Sequence, residues 1–280
     1  MEPVGKIKKN MDYSKDLKEI IDILKLVSSS EYSRLFSVVP RENDLGDILT
    51  DCIGMLGSNI ADTVYFKEKE DLPQLVLLIC SDEGFLGEMN ARIVNVAIRK
   101  SRNKETRFVV MGERGAGLLA EAGKKYVSIP TLDNEVRIKE VKRVANYIMG
   151  LYKNEKVGAI NVVYMKFKSY TNHVAEMVRI IPCDELVRHI SKHEDNGEVI
   201  IAPGVESVMG YLVKMWLEDS LFRLFWSSKL SEWATKVIKL ENSSDELKNI
   251  TERLKFKYFK AIHAKSDKVI REIFAAKTIS

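Results

Sequence analysis

Toward the C-terminus, apolar residues recur at alternating steps of four and three: Trp226, Leu230, Trp233, Val237, Leu240, Ser244, Leu247, Thr251, Leu254, Tyr258 and Ala261. This is a heptad seam, polar at Ser244 and Thr251. It lies within residues 211–280, which hold neither glycine nor proline, since all fifteen glycines and all six prolines stand at or before Gly210. A single helix through that stretch would be ~105 Å long at ~1.5 Å per residue, and it would need a second helix against its apolar face. A helical bundle whose turns lack Gly and Pro is the alternative.

The partner is expected at the other end of the chain. From Asp12 to Val38, Leu17, Ile20, Ile21, Leu24, Val27 and Leu35 recur near helical spacing. Pro40 should end this helix near Val39. A further helical segment is expected from Asp44 to Ala61, with Asn43-Asp44 as its cap. Between the terminal helices the periodicity changes. Gln74 to Cys80 is a short continuous apolar run bounded by Pro73 and Ser81, which marks a buried strand. Helices follow over Gly87–Lys100, Gly115–Ala122 and Glu135–Tyr152, and strands over Phe108–Met111, Val157–Met165 and Val174–Ile181. Alternating strands and helices predict a parallel or mixed sheet with helices on its faces. The fold class is therefore α/β: a long antiparallel coiled coil of N- and C-terminal helices (1–66 and 204–280) with an inserted Rossmann-like α/β domain (67–203). The charged linker Lys67-Glu-Lys-Glu-Asp71 opens the insert.

Composition narrows the chemistry. The 280 residues are 45% hydrophobic and 30% charged, in the range of a soluble protein. A net charge of +4 is too mild to argue for nucleic acid. No apolar run approaches a membrane span, and the first residues lack the apolar core of a secretory signal. Cys52, Cys80 and Cys183 fit neither a disulfide framework nor a zinc site, which points to an intracellular chain. Gly112, Gly115 and Gly117 have the wrong spacing for a dinucleotide loop. Gly117 to Lys125 is not a phosphate loop either, and Asp82 and Glu83 would repel a phosphate. His189 and His193, four apart, lack the Glu of a metalloprotease helix and read as surface residues. No catalytic residue, metal ligand or cofactor site emerges. The remaining signal is charge: from Lys248 to Lys277 there are nine basic residues and three acidic ones, either a solvated face that keeps a long helix soluble or a basic rod suited to an acidic partner surface.

Several motifs add a resemblance. Ile79-Cys-Ser-Asp-Glu-Gly-Phe-Leu-Gly-Glu-Met-Asn90 is similar to an S-D-x-G-L-x-G-x-x-N signature. Gly112-Glu-Arg-Gly115 is similar to a G-x-K/R-G turn. Ile20 to Ser28, Ser231-Glu-Trp-Ala234, Glu241-Asn-Ser-Ser-Asp245, Tyr258 and Glu272-Ile273 follow in the right order. Together they resemble, from end to end, the gamma subunit of F-type ATP synthase, the central rotor shaft. The departures are Glu88 for a second glycine, Lys236-Val237 for Arg-Met, Ile262-His263 for Arg-Gln and Val269 for a common Glu.

The resemblance implies a non-catalytic shaft, without cofactor or direct nucleotide binding, peripheral on the cytoplasmic or matrix side of an energy-transducing membrane. Its implied partners are the alpha and beta subunits of the catalytic hexamer, a small epsilon (or delta-type) stalk subunit and the membrane c-ring. Lys25, Leu26, Lys260, Ile262, His263, Lys265 and Lys268 are the implied hexamer contacts. Arg41, Glu42, Asn43, Val205 and Ser207 form the implied foot, and Ser81, Asp82, Gly84, Gly87 and Asn90 the structural turn. A gamma-like shaft of an ATPase not coupled to ion transport is the alternative. A free-standing α/β enzyme and a coiled-coil adaptor are the other classes.

Overall fold

The structure, a computed structural model, describes residues 3–37, 48–49, 51–52, 65, 69–133, 135–183 and 204–278. The expected cap at Asn43-Asp44, most of the helix expected over 44–61, and His189 and His193 lie outside these residues. Of that segment, residues 48–49 and 51–52 are helical. The elements run α1 (Val4–Ser37), β1 (Gln74–Ile79), α2 (Met89–Lys100), β2 (Thr106–Met111), α3 (Glu113–Glu121), β3 (Tyr126–Ile129), α4 (Ile138–Lys153), β4 (Ala159–Ser169), β5 (Asn172–Ile181) and α5 (Val205–Thr278). They fall into two compact units, residues 32–235 and residues 1–31 with 236–280.

The larger unit is built on a five-stranded sheet of order β3-β2-β1-β4-β5. The first four strands are parallel, and β5 returns antiparallel on β4. Strand β1 is buried along its whole length, as its continuous apolar run requires. Its alternate residues serve opposite faces. Leu75, Leu77 and Ile79 join Val144, Ile148, Leu221 and Phe225 from α4 and α5 in one core, while Val76, Leu78 and Cys80 join Ile93, Ala97 and Leu119 from α2 and α3 in the other. The start of α5 is thus a layer of the α/β unit, with Met209, Val213, Leu217, Leu221 and Phe225 inward at steps of four.

Two glycines of the Gly112-Glu-Arg-Gly115 turn have steric reasons. Gly112 sits at φ +96°, and a Cβ there would lie 2.7 Å from the Cys80 carbonyl; one at Gly115 would lie 2.5 Å from Cys80 Sγ. The turn can close onto the end of β1 only without side chains. Strand β3 corrects the sequence reading, which left Tyr126–Ile129 unassigned. It is four residues long, edge-placed and mostly exposed, so it has no apolar pattern to reveal it.

In the smaller unit α1 and α5 pack along seams. On α5, Val237, Leu240, Ser244 and Ala261 are buried and Leu247, Thr251, Leu254 and Tyr258 half-buried, on the expected heptad. On α1 the seam differs from the expected face. Ile7, Met11, Ser14, Lys18, Ile21, Lys25 and Ser28 follow at steps of four and three, and each is buried or half-buried. Ile20, Leu24 and Val27, expected on that face, are exposed, as are Ile23 and Leu26. Serines and lysine stems share the inside of α1 with Ile7, Met11 and Ile21, while Ile20, Ile23, Leu24, Leu26 and Val27 point outward.

Within this unit Asp22 of α1 meets Ser244 of α5. In the larger unit Leu35 of α1 packs with Leu230 and Trp233 of α5.

Candidate functional site

In an open α/β sheet, ligands enter the crevice outside the carboxyl ends of the strands where the winding reverses. Here that point lies between β1 and β4. The chain's own helix fills it. Ser228 Oγ accepts a bond from Met165 N–H at 3.0 Å, Ser231 Oγ donates to Met165 O at 3.3 Å, and both serines are buried. Beside them the Glu232 carboxylate accepts from Ser81 Oγ at 2.8 Å and pairs with Lys229 Nζ at 3.2 Å. A crevice that could hold a nucleotide is closed by α5.

The Ser81-to-Asn90 turn is organised around this closure. Ser81 N–H donates to Asn90 Oδ1 at 3.1 Å, and Glu83 N–H donates to Ser81 Oγ at 3.1 Å. Asp82 turns outward. It accepts Glu113 N–H, in the first turn of α3, at 2.6 Å, and the Thr131 hydroxyl. Gly87 takes φ +57°, which suits glycine, whereas Gly84 has open space around it and no steric requirement. The Asp82 carboxylate, expected to repel a phosphate, is thus a structural acceptor. Nearby charges satisfy one another: Arg34 binds Glu135, and Arg137 lies 3.4 Å from Asp133.

On the coiled-coil unit the named positions separate by exposure. Lys25 and Ile262 are half-buried, whereas Leu26, Lys260, His263, Lys265 and Lys268 are exposed. Lys268 lies 3.8 Å from Glu272. From Lys265 to Lys277 every residue is exposed, including Val269, Ile270, Ile273 and Phe274. Together with Phe256, at 72% exposure, and the Ile20, Ile23, Val27 stripe on α1, they present aliphatic and aromatic surface among lysines. In the larger unit Val205 packs at the edge of the core and Ser207 is exposed. Arg41, Glu42 and Asn43 lie outside the described residues. Among the described residues no helix is long and apolar enough to cross a membrane.

A hydrogen-bonded polar layer crosses the coiled-coil seam at Ser244. Ser244 Oγ donates to Asp22 Oδ1 at 2.7 Å, and Lys18 Nζ lies 2.5 Å from the other oxygen of Asp22. Bonds from Lys18 and Ser244 hold the Asp22 carboxyl below its usual ionisation range. The stabilisation is therefore full at neutral pH and is lost as the pH falls through that depressed value. Solvent reaches the pair, so the effect is about 0.5 kcal/mol. Asp22→Asn should remove this acid-side dependence in thermal melts between pH 3 and 7; an unchanged slope would assign it elsewhere.

The family model described as ATP synthase matches residues 4–277. The ATP synthase gamma chain of Clostridium acetobutylicum is 22% identical over 259 residues, covering 90% of this chain and 89% of the relative. That of Clostridium pasteurianum is 26% identical over 211 residues, covering 73% and 71%. Among solved structures, a chain of the Euglena gracilis mitochondrial ATP synthase OSCP/F1/c-ring assembly superposes with a TM-score of 0.72 at 11% identity, covering 98% of this chain and 93% of that one. A chain of the Tetrahymena thermophila central stalk/c-ring assembly gives 0.60 at 20% identity, covering 80% and 99%. These two likenesses concern the fold.

Proposed function

The chain belongs to the ATP synthase family as a gamma chain, the shaft of the central stalk, and we propose that it turns inside a hexamer of alpha and beta subunits while its sheet unit rides on a small epsilon-type subunit and the membrane c-ring. The observation that carries this reading is the end of α5. A helix draws most of its stability from packing an apolar face. Residues 265–277 stay helical with every residue exposed, Val269, Ile270, Ile273 and Phe274 among them. Such a segment suits enclosure by partner subunits. A sleeve of aliphatic contacts is non-directional and lets a shaft turn, while the surrounding lysines face acidic surfaces of the hexamer.

The work of the shaft is linkage. Three catalytic sites around an asymmetric rod hold different nucleotide affinities, so rotation and binding become coupled equilibria. On this reading the chain is a non-catalytic shaft, and Ser228, Ser231 and Glu232 of α5 stand at the strand ends where an α/β enzyme holds its ligand. The foot comprises Val205 and Ser207 together with Arg41, Glu42 and Asn43, and the complex lies on the cytoplasmic or matrix face of an energy-transducing membrane.

Affinity purification of the tagged chain tests the reading. Two large nucleotide-binding subunits, ATPase activity and a membrane ring should come with it; recovery alone or with unrelated proteins would refute it. Ile262 and His263 stand where the family has Arg and Gln, so Lys260, Lys265 and Lys268 supply the positive charge at this level. Changing the three lysines together to Ala should slow ATP-driven rotation severalfold while leaving the isolated chain folded, because all three are exposed. Rotation at the wild-type rate would remove the lysines from the contact.

A further inference from the structure

Strand β4 outruns its neighbour. Its pairing with β1 stops at Val163, opposite Leu78, yet β4 continues to Ser169 with β5 along its other edge. From Met165 onward the β1 side of β4 would therefore present bare N–H and C=O groups inside the protein. Serines of α5 occupy them. Met165 N–H donates to Ser228 Oγ at 3.0 Å and Phe167 N–H donates to Ser227 Oγ at 2.9 Å. In return, Ser227 and Ser231 each donate to Met165 O at 3.3 Å. Met165 and Phe167 are two apart, as residues facing the same strand edge must be, and Ser227 and Ser231 are four apart on one helix face. The hydroxyls thus continue the ladder that β1 leaves off.

We propose that Ser227, Ser228 and Ser231 form a splice that fixes the rotation of α5 on the sheet and sets the torsional stiffness with which torque passes between them. The proposal rests on the shaft reading and adds to it the place where torque enters the helix. Earlier along α5 the contact with the sheet is apolar, through Leu217, Leu221 and Phe225. Apolar contact is non-directional, so a helix seated on it alone can roll by small angles at little cost. Hydrogen bonds weaken steeply with misalignment. Four of them converging on Met165 and Phe167 resist such roll, because turning α5 carries every hydroxyl away from its strand partner together. The Ser81–Glu232 bond at the end of β1 gives the same face of α5 a second fixed point.

The test uses the assembled complex, with the hexamer immobilised and a bead attached to the sheet unit. Angular fluctuation during the pauses between ATP-driven steps reports stiffness. Ser227→Ala with Ser228→Ala should roughly double the angular variance while ATP hydrolysis stays within about twofold of wild type, since these bonds are orienting contacts rather than core packing. Ser227→Thr keeps the hydroxyl and should keep the wild-type variance. Equal variance in the double variant and wild type would overturn the splice. Should the double variant fail to assemble, Ser227→Ala alone, at a half-buried position, is measured the same way, and unchanged variance again overturns it. A wild-type complex that hydrolyses ATP without turning the bead would refute the shaft reading, and the splice with it.

Discussion

Replacing Glu232 by Ala should lower the stability of the sheet unit by about 3 kcal/mol, the lower end of the range for breaking a buried ion pair. Glu232 is 4% exposed on α5, where an unpaired carboxylate would be costly. Two partners satisfy it: the Ser81 hydroxyl at 2.8 Å and Lys229 Nζ at 3.2 Å. The Lys229 side chain is itself only 14% exposed. Truncation therefore strands an ammonium group with little access to water and leaves a buried hydroxyl without its acceptor. Some water does reach Lys229, which keeps the cost at the low end. Glu232→Gln retains an oxygen for Ser81 and should cost about 1–2 kcal/mol, the value of a charge-assisted bond weakened rather than removed. Denaturant unfolding followed by tryptophan fluorescence suits the measurement, because Trp216, Trp226 and Trp233 all stand on α5. A loss below 1 kcal/mol for Glu232→Ala would mean that the pair is dispensable.

The parts of the fold that were legible share a property: burial followed apolar periodicity. The α5 seam from Val237 to Ala261 was visible because each inward position is apolar except Ser244 and Thr251. The β1 run was visible because both of its faces are covered. Where burial was polar, periodicity misled. The α1 seam holds Ser14, Lys18, Lys25 and Ser28, so Ile20, Leu24 and Val27, the obvious aliphatics, were assigned inward and prove exposed. The sheet-facing serines of α5 were hidden for the same reason. Ser81 and the Ser231-Glu232 pair were noted as motifs, but nothing in their spacing tells that Ser81 and Glu232, far apart in sequence, meet. The available signal was composition: Ser227, Ser228 and Ser231 interrupt a stretch otherwise rich in leucine, phenylalanine and tryptophan.

Two phenylalanines on α5 should behave in opposite ways. Phe225→Ala should destabilise the chain by about 3–5 kcal/mol, as large-to-small changes at fully buried aromatic positions do. Phe225 is fully buried, and it packs in the core shared by β1, β4 and α4, with Ile148, Val162 and Leu221. Neighbouring side chains relax only partly into such a space, so lost transfer energy and lost contacts add. Phe256→Ala, at a position 72% exposed, should change the stability of the isolated chain by no more than about 0.5 kcal/mol. Within the assembled complex the order of effects on function reverses. If the exposed length of α5 is enclosed by the hexamer, Phe256→Ala removes buried interface area and should weaken retention of the shaft by the ring, whereas a chain with Phe225→Ala that has folded keeps its outward surface. Thermal unfolding of the free chains and dissociation of the shaft from the hexamer, measured for both variants, separate the residues that hold the shaft together from those it offers to its partners. Equal dissociation of the Phe256→Ala and wild-type shafts would place Phe256 outside the interface.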